Sequence, residues 1–397
     1  MATETFNHSF VDKVQQRGLL TGACGVVVLF IGAFADSQQF FQSYLVGYIY
    51  WLVISLGCLG LLMLHHLVSG RWGFVIRRLL ESGARTLWLM AILFIPIALQ
   101  GMHHLYEWTH ADVVAKDPIL TFKKPYLNET GFYIRAVVYF ALWLLWMFLL
   151  TKWSREQDET GEPGLKRRMI NLSGPGIPMF ILTVTFAATD WVMSLEPHWF
   201  STIYGLIFVV GGALGAMALC ILWVIKLKDV EVYREVDAFK YLSDLGTLMF
   251  AFTCLWAYVS FSQFLITWSG NLAEEAPWYI RRSHGGWQYV GTALIVFHFF
   301  VPFFLLLQRA IKRRAALMTV IAIFMLIMRY VDLYYFITPA FGHGGSDGMW
   351  YGFLLDALVL VSIGGLWLGF FAMQLKGVPL IPLHDPRMPE TFAGEGH

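Results

Sequence analysis

Residues 43–67 read SYLVGYIYWLVISLGCLGLLMLHHL, a run without a single Asp, Glu, Lys or Arg. As a helix rising 1.5 Å per residue, such a run crosses the roughly 30 Å hydrocarbon core of a bilayer, and its lack of a polar face suits lipid rather than water. Working outward, windows of about 20 apolar residues recur at 18–36, 85–104, 132–151, 177–195, 200–226, 241–268, 287–308, 315–337 and 350–374. The fifth is the weakest, because Thr183, Thr185, Thr189 and Asp190 dilute it. The whole chain agrees: 57% of its residues are hydrophobic and 14% charged, against roughly 45–50% and 25% in soluble domains. An ordinary soluble enzyme is thereby excluded. With 28 basic and 27 acidic residues, the near-neutral balance gives no reason to expect nucleic acid as a partner.

The expected fold is an all-α integral membrane protein of ten transmembrane helices over residues 18–376. A polar segment, 1–17, precedes it and a Pro-rich tail, 377–397, follows. The first span is read as a retained helix, without a small-residue cleavage site. Basic residues orient the chain, since they accumulate on the cytoplasmic side. Of the 28, 21 fall on the side holding both termini and 5 on the other, with Arg135 and Arg329 inside spans. Both ends are therefore expected in the cytoplasm.

Outside the spans, Arg71–Arg85 mixes Trp72, Phe74, Val75, Leu79 and Leu80 with Arg71, Arg77, Arg78 and Glu81, the pattern of a short helix lying on the interface. Glu156–Glu162 reads as a flexible charged loop. The tail carries Pro379, Pro382, Pro386 and Pro389 and is expected to run extended over a surface, its own or a partner's. His65 and His66 end the second span as interfacial groups. Cys24, Cys58, Cys220 and Cys254 lie singly in apolar runs with no C-x-x-C pair, so iron–sulfur, attached c-type haem and zinc are not expected. His298 has no evident mid-membrane partner for a b-type haem. Pro96 and Pro302 are expected to kink the third and eighth helices.

Ionisable groups inside spans are costly and by default face protein or a water-filled path. Here they gather toward the outer side. Asp190 lies in the fifth span, Arg329 and Asp332 in the middle and outer parts of the ninth, and Asp356 near the outer end of the tenth; Glu196 and His198 form the hairpin after the fifth. These six are the candidates for a proton path. Arg329 and Asp332, three residues apart on one helix, can also pair with each other. His103, His104 and Glu107, at the outer end of the third span, and His298, inside the eighth, are candidates for the pocket of a membrane-soluble ligand or its mouth, a quinol on the resemblance described below. The loop carrying Asn271, Glu274, Glu275, Trp278, Tyr279, Arg281 and Arg282 is too aromatic and too charged for a simple connector and is expected to dock partners. The 33 Phe, 17 Tyr and 16 Trp suit both a quinone's apolar surface and a lipid-facing belt.

Two strips go further. One is Thr189-Asp190-Trp191-Val192-Met193-Ser194-Leu195-Glu196-Pro197-His198-Trp199-Phe200-Ser201-Thr202-Ile203-Tyr204-Gly205; the other is Phe261-Ser262-Gln263-Phe264-Leu265-Ile266-Thr267-Trp268-Ser269-Gly270-Asn271-Leu272-Ala273-Glu274-Glu275, followed by Trp278-Tyr279. Both resemble the second polytopic subunit of alternative complex III, a quinol:cytochrome c or high-potential iron–sulfur protein oxidoreductase, within the polysulfide-reductase membrane-subunit (NrfD-like) family. The resemblance spans essentially the whole chain, although Ala273 stands where proline is expected and Pro277 is unexpected. It implies two four-helix bundles, helices 2–5 and 6–9, flanked by helices 1 and 10, in a bacterial inner membrane. It further implies as partners a larger paralogous membrane subunit, periplasmic iron–sulfur and multihaem cytochrome c subunits, other small membrane subunits and lipids. No redox cofactor is expected in this chain, and the ligand implied is quinone or quinol, oxidised near the periplasmic side. A proton-coupled secondary transporter and a purely structural anchor are the other readings the residues allow.

Overall fold

In hydrocarbon every backbone N–H and C=O must be satisfied within the chain, so apolar runs of this length become helices. The computed structural model describes residues 8–230, 233, 241–342, 349–382 and 384–385. It is 86% helical, and no strand occurs among the described residues. Nine helices among them are long and apolar enough to cross a membrane: α2 (Ser37–Val68), α3 (Arg71–Leu105), α4 (Glu129–Thr160), α5 (Pro163–Leu195), α6 (Tyr204–Lys226), α7 (Leu242–Gly270), α8 (Trp287–Leu307), α9 (Ala315–Phe341) and α10 (Gly352–Leu375). The first expected span lies within a further helix, α1 (Ser9–Ala35).

Local chemistry sets the helix ends. The Asp36 carboxylate accepts from the Gln39 backbone N–H at 3.0 Å to start α2, and Asn128 accepts from Gly131 N–H at 2.7 Å to start α4. Gly161, with φ +66°, ends α4 in the left-handed conformation that glycine adopts without strain. The helix thus runs straight through most of the charged 156–162 stretch, and α5 starts at Pro163 and passes Pro175 and Pro178. The apolar windows mark how much helix lies in hydrocarbon; they do not mark where the helix stops.

Packing centres on α2, buried along 89% of its apolar window and in contact with α3, α5, α6 and α10; α7 and α8 are peripheral, at 28% and 22%. Small residues permit the closest approaches, as in other membrane bundles. Gly18, Gly22 and Gly25 of α1 meet Gly369, Gly365, Leu366 and Ser362 of α10 along an antiparallel seam. At the crossing of α2 and α6, a methyl group on Gly57 would collide with the Gly212 carbonyl oxygen. Gly57→Ala is therefore expected to cost about 3 kcal/mol, because backbone cannot step aside as a side chain can. Gly270→Ala at the end of α7, where the added carbon would meet only Leu272 Cγ at 4.0 Å, should instead be neutral or stabilise by up to about 1 kcal/mol. Unfolding midpoints of the two variants in mild detergent make the comparison.

Pro96 and Pro302 each adjoin a stretch of π-helix, Ile97–Gly101 in α3 and Leu294–Phe300 in α8, where the i→i−4 ladder gives way. The helix over Arg71–Arg85 forms as expected but does not lie on the bilayer surface: residues 73–84 are buried within the protein. Arg77 bonds Glu81 and Asp385, both at 3.1 Å, and Arg78 bonds Glu81 at 2.6 Å and Asp158. His65 and His66 are likewise buried, His65 against Trp72 and Phe74. Buried charges read as interfacial from sequence because their neutralising acids, Asp158 and Asp385, lie far along the chain. The tail supplies one of them. Leu380 and Ile381 are buried, Asp385 also accepts from Lys166 at 2.7 Å, and His384 Nδ1 donates to the Asp158 carbonyl at 2.6 Å. The described part of the tail therefore crosses the protein's own surface, on what is here termed the tail face. Residues 386–397, with Pro386 and Pro389, lie outside the described residues. The segments 106–128, 192–203, 271–286 and 338–342 make up the opposite, loop face.

Candidate functional site

Helices α5 and α9 each carry an acid seven residues before a proline near the loop face: Asp190 before Pro197, Asp332 before Pro339. Both carboxylates are buried and both are paired with arginine. Asp190 Oδ2 accepts from Arg135 Nε and from the Tyr139 hydroxyl, each at 2.8 Å, both from α4. Arg135 also donates to the Tyr126 carbonyl at 3.0 Å and lies 4.0 Å over the Tyr126 ring. Trp191, next to the acid, packs against Phe94 at 4.6 Å, Phe140 and Trp143, which closes the tail-face side of the pair with aromatic surface.

The second pair lies within α9 itself, where Arg329 Nη1 donates to Asp332 Oδ2. The same oxygen accepts from Trp256 Nε1 of α7 at 3.2 Å. Gly211 of α6 leaves the room that the Arg329 guanidinium fills. The His298 ring sits edge-on to Trp256, centroids 4.0 Å apart; it is fully buried and neither ring nitrogen has a hydrogen-bond partner among the described residues. Its π-helical setting rotates it out of the register that an unbroken α-helix would give, and such turns recur at functional sites. Buried ion pairs are expensive to form, and these two lie within long apolar helices, which makes them the candidates for a functional site.

On the loop face, the two strips singled out in the sequence are knitted together. Glu196 is bridged by Arg281 at 2.9 Å and Arg282 at 2.8 Å. Arg282 also donates to the carbonyls of Trp278, Tyr335 and Phe336 and stacks 3.6 Å from the Trp278 ring. Trp199 stacks on Trp278 at 4.9 Å and donates to the Glu275 carbonyl; Gln263 joins the Ser201 and Tyr279 hydroxyls. Trp278 and Arg282 are thus turned inward, while Asn271 and Glu274 are exposed. His198 and Asp117 meet at 2.6 Å, and this bond, with backbone N–H groups of residues 119 and 120, holds the exposed Asp117 carboxyl below the usual carboxylate range.

A vestibule of about 1530 Å³ opens on this face, with Glu107, Glu196, His198, Trp278, Arg281 and Asp356 among its lining. Asp356 is buried at its wall and hydrogen-bonds the Tyr334 hydroxyl. Three of the six proton-path candidates therefore share the vestibule, and Asp190, Arg329 and Asp332 lie in the two pairs beneath. Tyr204 is buried between them, within electrostatic reach of Glu196, Arg282 and Asp332. His298 belongs with the second pair. His103 is exposed, 4.0 Å from Glu129, and His104 stacks on Phe41; neither lines the vestibule.

Sequence reading did not assign Arg135, Tyr139, Trp256 or Tyr204 to the site. Arg135 had a signal, as one of two basic residues inside spans, and the shared acid-to-proline spacing of α5 and α9 marked both acids. Tyr139 and Trp256 had none, being two rings among many in apolar runs. Among the described residues, no group of three or more His, Cys, Asp or Glu is gathered for a metal. No protein-family model and no curated protein matches this chain, so its role is argued from these residues.

Proposed function

We propose that this chain is a membrane subunit of a respiratory quinol:electron-acceptor oxidoreductase of the alternative complex III type, contributing to quinol binding or proton conduction toward the periplasm and to assembly of the complex. The observation that carries the reading is the sequence of polar groups from one face inward: vestibule, Glu196–Arg282, Tyr204, Asp332–Arg329 and His298, with Asp190–Arg135–Tyr139 as a second station. Hydroxyls, carboxylates and imidazoles in succession are what a proton needs to cross low-dielectric protein. In this reading α1 is a tenth span, both termini are cytoplasmic and the membrane is a bacterial inner membrane. Helices 2–5 and 6–9 form two four-helix bundles flanked by α1 and α10, an arrangement supported by the contacts of α4 with α5 and of α6 with α7 and α9. Periplasmic iron–sulfur and multihaem cytochrome c subunits sit on the loop face, and a larger paralogue lies beside the chain.

Purification from native membranes through an N-terminal tag tests the role. Haem-bearing partners and quinol oxidation should travel with the chain; a chain that arrives alone and drives proton-coupled uptake in liposomes overturns the proposal in favour of a transporter. Orientation has its own test. Cysteines placed at the exposed positions Ser283 and Glu159 should label from opposite sides, Ser283 from the periplasm. Labelling from one side would end the ten-span topology.

A further inference from the structure

Three basic residues of the tail face that lie at least half-buried, Arg77, Arg78 and Lys166, are paired with Glu81, Asp158 and Asp385. Arg85 is not. It ends the helix Arg71–Arg85 half-buried, with no acid within ion-pair distance among the described residues; its strongest charged neighbour is another cation, Arg155 of α4, and Glu81, one turn back and weaker in its opposing influence, is already engaged by Arg77 and Arg78. Arg155 is half-buried and likewise has no acid within ion-pair distance among the described residues, and Lys152 stands one turn away on the same side of α4. Cations so placed repel one another unless an anion joins them.

Immediately toward the bilayer centre the same two helix faces become wholly apolar and open. From Arg85, residues three and seven further along α3 are Trp88 and Ile92, exposed by 50% and 62%; from Arg155, residues seven and ten back along α4 are Phe148 and Leu145, exposed by 52% and 49%. The two helices pack against each other, so their stripes form one surface with charge at one end only. That pattern has the dimensions of a lipid, with a headgroup at the interface and hydrocarbon beyond it, and basic pockets between helix ends are where acidic headgroups bind. A membrane helix of a partner would need no two cations at a single level.

We propose that Arg85 and Arg155 bind the phosphate of an anionic phospholipid whose acyl chains lie on Trp88, Ile92, Phe148 and Leu145. A zwitterionic lipid would bring its own cation to two others, and free phosphate shares the headgroup chemistry but gains nothing from the apolar stripe. The site owes nothing to quinol chemistry.

Native mass spectrometry of the full chain, delipidated in mild detergent and titrated with phosphatidylglycerol or phosphatidylcholine, provides the test. One phosphatidylglycerol should be retained, phosphatidylcholine should not compete for it, and Arg85→Gln/Arg155→Gln should weaken retention about 30-fold, as two interfacial charges warrant. Equal retention of both lipids, or retention unchanged in the double variant, overturns the proposal; displacement by millimolar inorganic phosphate would make the site an anion site rather than a lipid site. Should the double variant not fold, the native chain still decides. Phosphatidylglycerol with brominated acyl chains should quench the share of tryptophan fluorescence that Trp88→Phe removes, and brominated phosphatidylcholine should not. Equal quenching by the two would reject the site.

Discussion

Asp332→Leu alone is expected to lower the unfolding free energy by about 3–5 kcal/mol, the usual result of leaving one member of a buried ion pair without its partner. In this variant the Arg329 guanidinium would remain against Gly211 and beside His298, deep in the protein, with neither water nor acid to answer its charge. Trp256 Nε1 would lose its acceptor as well, adding a buried unsatisfied donor. Arg329→Met alone should cost a similar amount, since it leaves an uncompensated carboxylate. The double variant Arg329→Met/Asp332→Leu should recover most of the loss, because apolar groups of similar volume remove both desolvation costs together. Denaturant titration of the four proteins in one detergent gives the cycle. Additive losses would mean the two groups do not depend on each other, contrary to their contact. Near-complete rescue would show that the pair is dispensable for folding, and that its presence calls for a functional reason.

The legible and the illegible parts of this molecule divide by the range of the interaction. Residues 43–67 announce α2 because hydrocarbon solvation acts residue by residue, and the same is true of the other eight spans confirmed as long apolar helices. Helix ends were not read from the apolar windows: the caps at Asn128 and Gly161 lie outside the 132–151 window, although Asn before a helix and Gly after it are local signals. The apolar windows missed the last turns of α4 and the first turns of α5, where the helix continues beyond the hydrocarbon. Asp190, Arg329, Asp332 and Asp356 stood out in the sequence because a charge inside a span is rare on energetic grounds. Their partners did not. That Asp190 would choose Arg135, 55 residues earlier, or that Asp385 would seat against Arg77, 308 residues earlier, depends on which helices are neighbours, and apolar windows carry no record of neighbours. The loop 271–286 shows the same limit. Its aromatic and charged residues read as a surface for partners, yet Trp278 and Arg282 are used to hold Glu196 and the end of α9, leaving Asn271 and Glu274 facing outward.

On the function proposed above, Asp190→Asn is expected to lower quinol oxidation per assembled complex by about 100-fold, the scale of a lost proton-transfer group. Asparagine keeps the size of aspartate, and its amide oxygen can still accept from Arg135 and Tyr139, so the contact that ties α5 to α4 survives in neutral form. What disappears is the titratable proton. Oxidising a quinol releases two protons, and when the electrons leave on the periplasmic side the protons are most simply released there, through acids that lead to that face. Asp190 lies just inside the hairpin that bears Glu196 and His198, and Asp332 lies behind Tyr204 on the other side of the vestibule. Asp332→Asn removes the second station but leaves the buried Arg329 charge without its acid, so fewer complexes should assemble, and turnover per assembled complex, compared between the two variants, shows whether one acid carries the flux or both do. A purely structural role predicts the opposite pattern: the complex would fail to assemble, and whatever assembled would turn over at the native rate. Haem content per membrane gives assembly, and quinol-dependent reduction of the acceptor per haem gives turnover. Native turnover in both variants would eliminate the relay. Slow turnover in a fully assembled complex, restored by neither a change of quinol concentration nor of acceptor, would locate the defect in proton release, because binding and electron transfer would then be intact.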